Sequence, residues 1–121
     1  MINQTLNYLL ARRREMLICF SGAVTTAATY LKGGGGEAGD GLPLPRAGRI
    51  LRIYCWDGTN LVSGTGNVSV TQGQRLSVHA TPSGGNFNLT VRVNGAATAL
   101  MATGAGQNST LFVTVLVQLD G

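Results

Sequence analysis

The chain has 121 residues and a formal net charge of +4, with 44% hydrophobic and only 12% charged residues. That length makes one domain able to bury a core without metals or disulfides, and the scarcity of charge beside 18 glycines favours strands and turns over a helical bundle. Five acids (Glu15, Glu37, Asp40, Asp57, Asp120) and a single histidine, His79, are too few to converge on acid–base or metal chemistry, so the expectation is no enzyme, no catalytic residue, no metal and no cofactor.

Residues 1–15 read as an N-terminal arm and 16–121 as the folded domain. In "NQTLNYLLARRRE" Leu6, Leu9 and Leu10 share a helical face, which predicts a short amphipathic helix of the kind that needs something to dock on. Arg12, Arg13 and Arg14 form a compact basic cluster whose partner is an acidic protein surface, phosphates or solvent. Without interleaved aromatics the cluster is a weak nucleic-acid signal, and the expectation is no nucleic-acid partner. The arginines ahead of "MLICF" imitate a signal peptide, but Glu15 interrupts the pattern and no small-x-small site follows. No stretch reaches the ~20 apolar residues of a membrane span, so no membrane partner is expected, and Met16 to Val24 reads as the first strand.

Cys19 and Cys55 both lie in apolar runs, which predicts two buried, reduced thiols and assembly in a reducing cytoplasm. After the segment "TTAATYLK" a Gly-rich loop spans 33–42, and Pro43 and Pro45 stiffen the entry to a strand at 48–56, since proline lacks an amide donor and suits a strand entrance. Ile50, Arg52 and Tyr54 alternate there with Leu51, Ile53 and Cys55, which predicts a strand covered on both faces.

Further strands are expected at 60–63, 66–71, 74–80, 86–93, 97–102 and 109–119, separated by "WDGTN", "TQGQ", "PSGG", "NG" and "TGAGQN", all good turn chemistry. His79 reads as a surface residue of its strand. Asn94-Gly95 supplies the positive φ angles of a type I′ hairpin. The last strand, "LFVTVLVQL", is apolar at nearly every position. Its outer face is therefore covered either by a neighbouring subunit or by the N-terminal segment of its own chain. About eight short strands at this spacing predict an all-β fold, a jelly-roll sandwich of antiparallel strands.

The runs "FSGAVTTAATYL", "LPLPRAG" at Leu42 to Gly48, "VRVNG" at Val91 to Gly95 and the apolar last strand resemble the small jelly-roll domains of the tumour-necrosis-factor and C1q kind that tailed bacteriophages use as head decoration (cement) proteins and as tips of tail fibres or needles. The resemblance spans 18–121 and implies a homotrimer, with Tyr54, Trp56, Phe87, Phe112 and Val115 as candidates for the subunit contact. It implies a structural virion protein on the capsid exterior, whose partner is the major capsid protein and which stabilises the expanded shell. The arm residues Leu6, Tyr8, Leu9, Leu10, Arg12, Arg13 and Arg14 would then bind the capsid. The alternative is a trimeric tail-fibre or tail-needle knob that binds a host receptor or glycan through loops such as "WDGTN", where Trp56 stacks on a sugar. Fibre tips follow a long shaft, and only about fifteen residues precede the domain here.

Overall fold

The computed structural model describes residues 15–23, 28–33, 41–105 and 110–120, so the arm residues Leu6 to Arg14 lie outside it. The chain forms β1 (Glu15–Ala23), β2 (Thr29–Tyr30), β3 (Lys32–Gly33), β4 (Leu42–Pro43), β5 (Gly48–Trp56), β6 (Leu61–Val70), β7 (Arg75–Ser83), β8 (Asn86–Val93), β9 (Ala96–Ala105) and β10 (Thr110–Leu119). Two antiparallel sheets result. The first runs β3-β1-β10-β5-β6 and the second β2-β7-β8-β9, with β4 also pairing β7. This is the all-β sandwich of jelly-roll type that the strand spacing predicts.

Period-two alternation decides what each strand buries. In β10, Leu111, Val113, Val115 and Val117 enter the core, while Phe112 and Gln118 are exposed and Thr114 and Leu116 half-buried. In β1, Ile18 and Phe20 point inward and Leu17, Cys19 and Ser21 outward. The opposite sheet contributes Leu76, Val78, Ala80, Phe87, Leu89, Val91 and Leu100. Phe87 and Val115, both fully buried, therefore pack within the single chain rather than against a neighbouring subunit. Strand phase is the reason: each sits on the inner face of its sheet.

Two further readings are corrected. The 48–56 strand is not covered on both faces, because Arg49, Arg52 and Trp56 are exposed. A β-bulge intervenes: β10 pairs Val117 with Ile50 and Leu116 with Arg52, leaving Leu51 as the extra residue. Ile50 and Ile53, three apart, thus both reach the core, as an inserted residue resets the alternation. The pieces at 60–63 and 66–71 are one strand, β6, since the glycines between them serve close packing instead of a turn. A Cβ at Gly64 would overlap the Met101 carbonyl of β9, so the missing side chain lets the two sheets meet along that margin. The short strands after β1 serve different sheets: β2 joins the second sheet and β3 the first, and Leu31 between them is fully buried, its N–H donating to the Val78 carbonyl at 2.9 Å.

The hairpins follow their turn residues. Ser83 pairs Asn86 around Gly84 and Gly85, with φ of 57° and 89°, and Val93 pairs Ala96 around Asn94 and Gly95, with φ of 51° and 81°. Positive φ at both central positions is the type I′ requirement. The Asn94 side chain also accepts the Arg75 N–H at 2.9 Å, tying this hairpin to the start of β7. Beyond it the β8–β9 register shifts between Thr90 and Arg92. There the Thr98 hydroxyl donates to the Val91 carbonyl at 2.7 Å and accepts the Leu100 N–H at 3.2 Å, replacing ladder bonds that the shift removes.

Candidate interaction surface

The outer face of the first sheet gathers four of the five exposed large hydrophobic residues among the described ones: Leu17 (62% exposed), Trp56 (46%), Leu61 (64%) and Phe112 (56%). Their registers lay them out as a grid. One row crosses all five strands as Lys32, Ser21, Phe112, Trp56 and Leu61. The next is Cys19, Thr114, Tyr54 and Ser63, and the third Leu17, Leu116, Arg52 and Thr65. A fourth holds Glu15, Gln118, Arg49 and Ser69. Neighbouring strands lie ~4.8 Å apart, so Phe112 and Trp56 are directly adjacent positions on this face.

Local chemistry fixes this surface. The Asp57 carboxylate accepts the N–H groups of Thr59 at 2.8 Å and Asn60 at 2.7 Å, closing the loop that returns Leu61 to the row of Trp56. Those backbone hydrogen bonds, Asn60's first and Thr59's second, hold the Asp57 carboxyl below its ordinary pKa despite opposing desolvation. Arg52 donates to the Tyr54 hydroxyl at 3.3 Å, so its guanidinium lies along the face.

Of the residues expected at a subunit contact, Tyr54, Trp56 and Phe112 share this surface, whereas Phe87 and Val115 are in the core. Leu17, Leu61, Cys19 and Arg52 are not among the residues expected at a contact. Their only signal in the sequence is strand parity, which becomes informative once the inward face is known.

The cysteines part company for the same reason. Cys55 is buried, but Cys19 is exposed, since Ile18 and Phe20 take the inward positions beside it. Both are free thiols. Burial, and secondarily the charge of Asp57, pushes the Cys55 thiol up to about 11, and the thiol is a poor nucleophile compared with the thiolate. A maleimide at neutral pH is therefore expected to modify Cys19 quickly and Cys55 only after unfolding, as read from peptide masses with and without denaturant.

The outer face of the second sheet differs. Tyr30 and His79 meet edge to face with centroids 4.7 Å apart, and Arg92 lies 5.6 Å from the Tyr30 centroid while donating to the Tyr30 hydroxyl at 3.0 Å. Burial first, and the Arg92 charge second, lower the His79 pKa. His79 is half-buried in this stack rather than a plain surface residue. Among the described residues no group of three or more His, Cys, Asp or Glu could hold a metal ion, and no helix is long and apolar enough to cross a membrane. Comparison with protein-family models, curated proteins and solved structures finds no match to this chain.

Proposed function

We propose that this is a structural protein without catalytic chemistry, a decoration (cement) protein that attaches to the outside of a bacteriophage head and stabilises the expanded shell. The observation that carries the reading is the face bearing Phe112, Trp56, Leu61 and Leu17. Contiguous apolar surface of this kind on a soluble chain marks a contact site. A protein that binds only the expanded shell shifts the equilibrium toward it by mass action. Joining several copies multiplies that effect, because each further arm binds at high effective concentration. The resemblance in "LPLPRAG", "VRVNG" and the last strand supports the same reading and implies three copies, with the basic arm meeting acidic capsid surface.

The test uses heads assembled without the protein. Adding the purified full chain is expected to give co-sedimentation with expanded heads and a higher temperature of genome release. Heads that neither bind it nor gain heat resistance would refute the reading. The alternative, a receptor- or glycan-binding knob, is favoured by one feature, the exposed Trp56 ring beside the loop that Asp57 braces. Glycan binding that survives removal of residues 1–14 would select that alternative.

A further inference from the structure

We infer that the outer face of the first sheet pairs with the same face of a second copy, about a twofold axis that runs along β10. The inference rests on reading this face as a contact between copies. It is independent of what the arm binds.

The argument is one of complementarity across the grid. A twofold axis along β10 keeps each row and exchanges β1 with β5 and β3 with β6, because β10 is the middle strand of the five. Residues of β10 then meet themselves: Phe112 packs on Phe112 and Leu116 on Leu116. Among the described residues the face has one acid, Glu15, and three cations, Lys32, Arg49 and Arg52. The exchange sets Glu15 opposite Arg49 of the second copy, twice over. It sets Arg52 opposite Leu17 and Lys32 opposite Leu61, along whose side chains their aliphatic stems can lie. No cation faces a cation. A twofold axis across the strands reverses the rows instead, which lays Phe112 over Gln118 and Glu15 over Ser21. That arrangement buries an aromatic ring against an amide and leaves the acid without a cation.

Size agrees. Four long strands of nine or ten residues, ~4.8 Å apart with ~3.3 Å per residue, present roughly 600 Å² in plan, of the order of the ~800 Å² that each partner gives to a stable interface of standard size. An isologous contact of this kind closes on itself and makes a dimer. Three copies around a threefold axis cannot join the face to itself, so the pairing and the trimer implied by the resemblance are exclusive.

The experiment takes the full chain and measures its mass by sedimentation equilibrium, with a dimer expected. Packed sheets lie ~10 Å apart, too far for a direct disulfide between facing positions, whose Cα atoms must come within ~7 Å. A short bismaleimide is therefore the probe. In a Cys19→Ser background, Phe112→Cys is expected to cross-link into a covalent dimer, while Leu61→Cys, equally exposed but facing Lys32, stays single. Glu15→Arg is expected to weaken the dimer roughly tenfold, as an interfacial ion pair becomes a repulsion, and Arg49→Glu added to it to restore most of the affinity. Phe112 is exposed, so these changes leave folding intact. A monomer at tens of micromolar would overturn both the pairing and the reading of the face as a contact between copies. A trimer would overturn only the pairing. Cross-linking through Leu61→Cys in place of Phe112→Cys would overturn the axis.

Discussion

Phe87→Ala is expected to lower the unfolding free energy by about 3–5 kcal/mol, the range for deleting a fully buried aromatic ring, as read from urea denaturation followed at equilibrium. The ring has no exposed surface. It lies directly over Gly104 of β9, where an added Cβ would overlap the ring carbons. The pairing of Phe87 with Gly104 across the β8–β9 ladder thus lets one large residue fill the space of two. Alanine would leave a cavity that the flanking strands cannot close without breaking their hydrogen bonds. Phe112→Ala supplies the contrast: with 56% of its surface already in water, its loss should cost the single chain well under half as much. A comparable loss at both positions would mean that the inner and outer faces of β10 are wrongly assigned.

The second large effect is expected at Gly64. Valine there would press its Cβ into the Met101 carbonyl, a backbone atom held in the β9 ladder, so relief requires β6 and β9 to separate. The cost should meet or exceed the ~1–3 kcal/mol of ordinary overpacking, with a matching drop in the melting temperature. Gly66→Ala is the control. Its added Cβ would stand 3.2 Å from Leu100 Cδ1, the far end of a flexible side chain that can turn aside. If both substitutions cost the same, the tight approach of the two sheets at Gly64 does not carry the effect.

What the sequence discloses and what it hides follow from range. The Asn94-Gly95 hairpin is legible because a type I′ turn constrains its own two residues and nothing distant. Strands β5, β8 and β10 are legible because their apolar residues run through to clear turn signals. Alternation divides each strand into two faces without saying which is inward. Phe87 and Phe112 therefore read alike as candidates for a contact, and only the packing of one sheet on the other separates them. The same ambiguity conceals Cys19. Gly64 and Gly66 resemble turn punctuation in one dimension, and their purpose, contact with β9, involves residues more than thirty positions away. The grid of the candidate surface depends on which strands are neighbours, and that order brings the chain's first described strand beside its last.

The bulge at Leu51 has a consequence for how β5 tolerates change in length. Arg49 and Arg52 are an odd number of residues apart, yet both guanidinium groups stay in water, because the supernumerary residue slips the strand by half a period. Deleting Leu51 would remove that slip. With Ile53 and Cys55 anchored by their partners on β10, Ile50 would then precede Arg52 directly in plain alternation, so Ile50 would still point inward and Arg49 outward. A single-codon deletion at this point should therefore be milder than one in a regularly paired strand such as β1, where losing one residue turns the upstream half onto the wrong face.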